Sequence, residues 1–126
     1  MASKQAKNPV IVLVEEEADE RTAIARLLQE GGFAVAEATD TDEAMVLLEK
    51  RADLQGLVTD AHVPGRIDGF ELAEEARRRW PGLAVVMMSG HSDATSGPVP
   101  EGGEFVSKPY LTSLLVPTLN RMIGRA

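Results

Sequence analysis

The chain of 126 residues has no cysteine, no long apolar run and no excess of basic residues. Without cysteine it forms neither disulfides nor thiolate metal sites. No run approaches the ~20 apolar residues of a membrane helix, and residues 1–8 lack the apolar segment of a signal peptide. The formal net charge of −7 argues against nucleic-acid binding, which needs a basic surface. These absences predict a cytoplasmic protein that binds neither membranes nor nucleic acid.

The remaining composition is that of an ordinary globular domain. Hydrophobic residues make up 44% of the chain and charged residues 26%. The length suits one domain with a real core, and the sequence shows no internal repeat. We therefore predict a disordered N-terminal tail over residues 1–8 and a single domain over residues 9–126.

Apolar runs and helical periodicities alternate along the chain. Val10–Val14 is a run of five apolar residues, which is typical of a strand buried on both faces of a parallel sheet. Further strands are predicted at residues 33–38, 54–59, 83–88 and 104–107. Helical spacing predicts helices over residues 19–30 and 111–123. Two further helices are predicted to begin at capping boxes, Asp40 with Glu43 and Asp68 with Glu71. The first of these two buries Ala44, Leu47 and Leu48, and the second ends near Trp80. This alternation predicts an α/β fold with a parallel sheet covered by helices on both faces.

Two stretches break the pattern. Residues 91–103 hold three glycines and two prolines with few apolar side chains, so we expect no full helix there and at most one turn within residues 92–96. Pro117 lies inside the last helix, where it should delay the start of the helix or kink it.

Polar side chains follow the predicted strands where each strand ends. Strand one is followed by Glu15 and Glu16, and strands three, four and five deliver Asp60, Ser89 and Lys108. In an open α/β sheet these carboxyl ends share one edge, where ligands bind. Carboxylates suit a hard cation such as Mg²⁺, and a cation, a lysine and a hydroxyl around one carboxylate suit phosphoryl transfer onto it.

The same residues carry a resemblance to a known family. The chain resembles the receiver domain of bacterial two-component response regulators over roughly residues 9–123. The matching pieces are residues 12–17, residues 57–65, Asp68-Gly69, Ser89-Gly90 and residues 105–109. The resemblance implies a flavodoxin-like (βα)5 fold with strand order 2-1-3-4-5. Here the fourth helix is expected to be short or absent.

The resemblance also implies a role for each residue at the sheet edge. Asp60 is the implied phospho-acceptor. Glu15, Glu16 and Asp60, together with the backbone carbonyl of His62, are the implied Mg²⁺ ligands.

The resemblance also implies which residues respond to the phosphoryl group. Ser89 and Lys108 are the implied phosphoryl-sensing residues, and Phe105 is the implied aromatic that changes rotamer as Ser89 moves. The Lys108-Pro109 peptide bond is expected to be cis.

The chain departs from the family at the metal side, because Glu16 stands where the family commonly has Asp. The longer side chain predicts that Glu16 folds back, binds through water or lowers the affinity for Mg²⁺. Clustered carboxylates without metal should repel, so that one pKa rises.

Three functions follow from these observations. The first is a stand-alone receiver that accepts a phosphoryl group on Asp60 from a sensor histidine kinase or a phosphotransfer protein and signals through protein contacts. The second is a pseudo-receiver, a protein-interaction module that works without phosphorylation. The third, a small metal-dependent phosphatase, ranks last because His62 stands where a general acid is needed, so no enzyme activity is expected.

Overall fold

The structure is a computed structural model that describes residues 8–90 and 97–125. Its strands are β1 (Val10–Val14), β2 (Ala34–Ala38), β3 (Leu54–Asp60), β4 (Ala84–Ser89) and β5 (Glu104–Ser107). Its helices are α1 (Ala18–Glu30), α2 (Thr41–Lys50), α3 (Gly69–Arg79) and α4 (Leu111–Ile123). None of the helices in these two ranges is long and apolar enough to cross a bilayer.

The five strands form one parallel sheet in the order β2-β1-β3-β4-β5. This order confirms the expected flavodoxin-like fold, in which helices cover both faces of a parallel sheet with strand order 2-1-3-4-5. After β2 the chain crosses back over β1, so that β3 and the later strands are added on the other side of β1, and the order of the strands changes direction between the neighbours β1 and β3. The carboxyl ends of these two strands therefore meet where an open sheet of this kind binds ligands.

Alternate residues of the central strands pack in two separate hydrophobic cores, one on each face of the sheet. Val12 and Val14 pack with α2 and α3 on one face, whereas Ile11 and Leu13 pack with α1 and α4 on the other. Since side chains alternate along a strand, Glu15 continues the Leu13 face, and Asp60 continues the face of Val58. The sheet thus directs both carboxylates towards the side covered by α1.

Side-chain caps fix the starts of the helices. At α3, Asp68 accepts a hydrogen bond from the Glu71 N–H, and the Glu71 carboxylate accepts one from the Asp68 N–H, which confirms the predicted capping box. At α2, Asp40 accepts from the Glu43 N–H, but the Glu43 carboxylate bonds Thr39 instead of closing a box.

The connection from β4 to β5 contains no helix within its described part, which is residue 90 and residues 97–103. Four α-helices in the described chain agree with the expected short or absent fourth helix of the family fold. The predicted turn within residues 92–96 lies outside the described residues, as does most of the predicted tail at residues 1–8.

The approach to α4 corrects one prediction. No peptide bond in the described chain is cis, so the Lys108-Pro109 bond is trans and the expected cis bond is wrong. Lys108–Tyr110 forms a 3-10 turn that leads directly into α4, and proline suits the first turn of a helix. Pro117 does not delay α4, which begins at Leu111 and carries Pro117 exposed in its interior.

One leucine of α4 faces solvent while three others are buried. Leu111, Leu115 and Leu119 are buried against the sheet, whereas Leu114 is 47% exposed. A stripe at four-residue spacing turns Leu114 away from the core, because Leu114 precedes the buried Leu115 by a single residue.

Arg77 anchors the two loops that flank β4. Its Nε donates to the Glu101 carbonyl, and its Nη1 donates to the carbonyls of Pro81 and Leu83 at 2.8 and 3.1 Å. Arg77 therefore ties the end of α3 to the segment that precedes β5.

Replacing Arg77 by Ala should lower the free energy of unfolding by about 1–2 kcal/mol, because three loop carbonyls lose a charged donor. Urea unfolding measures the change. Arg78→Ala is the matched control, since Arg78 is exposed and pairs with Glu75 on the same helix. Equal losses in the two variants would contradict the anchoring role.

Candidate functional site

The ammonium group of Lys108 joins three carboxylates at the carboxyl edge of the sheet. Its Nζ lies 3.0 Å from Glu15 Oε1, 2.9 Å from Asp60 Oδ2 and 2.6 Å from Glu20 Oε1. An ammonium has three N–H donors, so each carboxylate takes one of them. The predicted residues Glu15, Asp60 and Lys108 are therefore brought together, and Glu20 joins them.

The strand register brings Glu15 and Asp60 side by side. Val14 pairs with Thr59 across β1 and β3, and each is followed by its carboxylate. Glu15 is 3% exposed, and its second oxygen accepts the Glu17 N–H at 3.1 Å. A buried carboxylate needs such partners, because an uncompensated buried charge is costly.

Asp60 is held at both of its oxygens. Oδ1 accepts the His62 N–H at 3.0 Å, and Oδ2 accepts from Lys108. Burial raises the pKa of Asp60, but the His62 N–H and the Lys108 ammonium outweigh it, so the pKa lies below its ordinary value. Asp60 therefore stays ionised at neutral pH, and an ionised carboxylate is a nucleophile.

Burial raises the pKa of Glu15 above its ordinary value, and the neighbouring charge of Asp60 raises it further. This agrees with the expected repulsion between clustered acids. The Lys108 ammonium works against this rise by bonding both carboxylates. For the same reason, three carboxylates together raise the pKa of Lys108 despite its burial, so that it carries its charge at neutral pH.

The three consecutive acids after β1 separate in space. Glu15 points inward, Glu16 is exposed, and Glu17 caps α1 by accepting the Glu20 N–H at 2.8 Å. Arg21 Nη1 donates to the carbonyls of Glu15 and Glu16 and so fixes the backbone between β1 and α1. The structure thus places Glu16 at the rim, outside the group around Lys108.

Ser89 and Phe105 lie together on the opposite face of the sheet. Ser89, which is 1% exposed, pairs with Ser107, and Phe105 pairs with Met87 two positions earlier. Because side chains alternate along strands, Ser89, Met87 and Phe105 share the face covered by α2 and α3. The predicted phosphoryl-sensing hydroxyl of Ser89 and the predicted switch aromatic Phe105 therefore lie on the same face of the sheet. The His62 side chain is exposed, and its ring meets the edge of Phe70.

Gly69 packs the start of α3 directly onto the end of β3. A Cβ at this position would lie 2.2 Å from the Asp60 carbonyl oxygen and 2.8 Å from Ala61 Cα. The Gly69 N–H also donates to the Ala61 carbonyl at 3.2 Å. Glycine is needed here because backbone atoms, which cannot rotate away, occupy the space of a side chain.

Gly69→Ala should therefore lower the free energy of unfolding by about 2–4 kcal/mol through overpacking and displaced backbone. Amide NMR shifts around Asp60 should change as well. Gly82→Ala is the control, because a Cβ at Gly82 meets no atom within 4 Å. A Gly69→Ala variant as stable as Gly82→Ala would contradict this packing.

The carboxylate oxygens at this edge are ligands of the type that a hard cation prefers. Glu15 and Asp60 already share one positive charge, the Lys108 ammonium, through oxygen atoms 3.0 and 2.9 Å from it. Oxygen ligands are what Mg²⁺ prefers. Across residues 8–90 and 97–125, however, no three acidic, histidine or cysteine side chains are gathered as a ready metal site. The fit thus rests on two carboxylates, with Glu16 at the rim.

Sequence reasoning missed Glu20 in this group. The signal for it was slight, because an acid in the first turn of a helix is usually explained by the helix dipole alone. Its contact with Lys108 spans 88 positions along the chain.

Comparison with known proteins agrees with this geometry. The family model of the response regulator receiver domain matches residues 11–120. The hydrogenase transcriptional regulatory protein HoxA of Cupriavidus necator is 30% identical over 98% of this chain. The sensor kinase CckA of Brucella abortus is 28% identical over 98% of this chain. The chain spans 25% of HoxA and 13% of CckA, so it corresponds to one part of each.

A solved structure shares the whole fold. The response regulator receiver protein from Sinorhizobium medicae superposes with a TM-score of 0.84 and 26% identity, covering 94% of this chain and 96% of that one. With the match of the family model and the site around Asp60, it follows that the chain belongs to the response regulator receiver domain family.

Proposed function

We propose that this domain accepts a phosphoryl group on Asp60 from a phosphohistidine of a sensor histidine kinase or a phosphotransfer protein. One observation carries the proposal: Asp60, ionised and with a side chain 14% exposed, is bonded at 2.9 Å by the Lys108 ammonium. The carboxylate is the nucleophile, and the adjacent cation suits the charge that develops on the transferred group.

The proposed reaction has two steps, transfer of the phosphoryl group from phosphohistidine to Asp60 and its later hydrolysis by water. An Asp60 oxygen attacks phosphorus, a P–O bond forms, the P–N bond of the phosphohistidine breaks, and its electron pair returns to the imidazole. Water later attacks phosphorus, the P–O bond to Asp60 breaks, and inorganic phosphate leaves with the carboxylate restored. Lys108, whose Nζ lies 2.9 Å from Asp60 Oδ2, is placed beside the oxygen atoms that would react.

Receiver domains typically bind Mg²⁺, and the donors around Asp60 fit this ion. We propose that Glu15, Asp60 and the His62 backbone carbonyl hold it, with Glu16 contributing from the rim. When bound, the ion supplies positive charge to the phosphoryl oxygens. Glu16 starts from an exposed position, so its contribution needs a change of rotamer.

On the output side we propose that Ser89 and Lys108 sense the phosphoryl group and that Phe105 responds. The shared face of Ser89 and Phe105 supports the link between these two residues, and Ser89 directly follows Met88, which pairs with Asp60. Because Ser89 starts from the face opposite Asp60, sensing requires its hydroxyl to turn across the end of the strand. The signal then passes to another protein through contacts. The prediction of a stand-alone receiver stays a prediction, which the mass of the native gene product tests.

Incubation with acetyl phosphate and Mg²⁺ tests the proposed function. We expect intact mass spectrometry to show one added phosphoryl group, and we expect EDTA to reduce the labelling. The label should be lost in mild base, as an acyl phosphate is. Persistent absence of the adduct, also with phosphorylated kinases as donors, would contradict the proposal and favour the interaction module that works without phosphorylation.

A further inference from the structure

We propose that Glu20 is a positioning residue that acts through Lys108 and restrains phosphoryl transfer to Asp60. In the resting site Glu20 takes one of the three ammonium donors, and its 2.6 Å contact is the shortest of the three. This inference rests on the proposed phosphorylation of Asp60. It assigns to Glu20 a competition with the phosphoryl group for the same cation.

The number of donors forces the competition. Lys108 has three N–H groups, and Glu15, Asp60 and Glu20 accept one each. A phosphoryl oxygen that arrives on Asp60 needs such a donor. Lys108 can supply it only by giving up one of its present partners. Since Asp60 is the attacking carboxylate and keeps its own donor during the transfer, the choice lies between Glu15 and Glu20.

Burial decides which partner is given up. The Glu15 side chain is 4% exposed, so removing Lys108 from it leaves a buried charge without compensation. The Glu20 side chain is 49% exposed, so water replaces the ammonium at little cost. The Lys108–Glu20 contact is therefore the one exchanged for the phosphoryl group.

The backbone of Glu20 is held in place for this contact. Its N–H donates to the side chain of Glu17, the residue that caps α1. The first turn of α1 is thereby fixed beside the end of β5, and Glu20 does not need to be ordered separately to reach Lys108. Loss of this one carboxylate frees a donor of Lys108 and leaves the two buried pairs intact.

The test compares the wild type, Glu20→Gln and the control Asp19→Asn with acetyl phosphate at saturating Mg²⁺. Asp19 is an exposed acid in the same turn, and Asp19→Asn removes the same charge. No ion pair of Asp19 appears in the described part of the chain. We expect Glu20→Gln to acquire the label about two- to fivefold faster than the other two proteins, the size of an exposed ion pair.

A second readout reports the contact itself. The ¹⁵Nζ resonance of Lys108 should shift in Glu20→Gln and stay in place in Asp19→Asn, while thermal unfolding remains similar in all three proteins. An unmoved Lys108 signal in Glu20→Gln would overturn the inference.

The labelling outcomes separate this inference from the function on which it rests. Wild-type labelling with no acceleration in Glu20→Gln, or with the same acceleration in Asp19→Asn, overturns the role of Glu20 alone. Absence of label from all three proteins contradicts the proposed function, and the role of Glu20 then fails with it.

Discussion

Asp60→Asn should abolish the phosphoryl label while the protein stays folded. The amide lacks the nucleophilic carboxylate, yet its oxygen can still accept the His62 N–H. Lys108 keeps Glu15 and Glu20 as partners, so the free energy of unfolding should change by no more than about 1 kcal/mol. Intact mass spectrometry after incubation with acetyl phosphate measures the label.

The matched control for this variant is Asp53→Asn. Asp53 is an exposed aspartate that pairs with Arg51 at the far end of β3. Its replacement should leave labelling unchanged. Labelling of Asp60→Asn at the rate of the wild type would show that another residue accepts the phosphoryl group.

Lys108→Met should lower the free energy of unfolding by about 2–3 kcal/mol at neutral pH, because removing one partner strands a buried charge. Glu15 is buried beside Asp60, and without the ammonium these two carboxylates repel each other. The cost falls below that of a fully buried pair because the Lys108 side chain keeps 19% exposure. Urea unfolding measures it, with Lys50→Met, at an exposed position in α2, as the control.

The stability difference between wild type and Lys108→Met should shrink on acidification. Burial raises the pKa of Glu15, so its charge disfavours the folded state above that pKa, and the cost is relieved as the pH falls through it. The favourable pairing that lowers the pKa of Asp60 is lost as the pH falls through the pKa of the folded state. Both effects reduce the difference in the free energy of unfolding between wild type and Lys108→Met as the pH falls. A difference that stays constant from neutral to mildly acidic pH would contradict this explanation.

The sequence predicted the sheet well because its strands are simple. Runs such as Val10–Val14 are buried on both faces, as is typical of strands in a parallel sheet covered by helices on both faces. The placement of Asp60 and Lys108 followed from the same logic, since the strand ends fix where those side chains begin. The trans bond before Pro109 could not be predicted from residue types, because it depends on how the turn meets α4.

The missed features depend on contacts between distant parts of the chain. Glu20 meets Lys108, and Arg77 meets the carbonyl of Glu101, only because the folded helices bring them there. Gly69 matched the family pattern in the sequence, but its reason, the backbone of Asp60 beneath it, needed coordinates. Periodicity reports which face of an element is buried and does not identify the partner of an exposed charged side chain.

The most direct measurement of the central claim locates the phosphoryl group. After incubation with acetyl phosphate and Mg²⁺, borohydride reduces an aspartyl phosphate to homoserine, and peptide mass spectrometry finds the converted residue. The site geometry predicts conversion at Asp60, whose carboxylate Lys108 bonds at 2.9 Å. Conversion at another residue of a labelled protein, with Asp60 intact, would contradict the account.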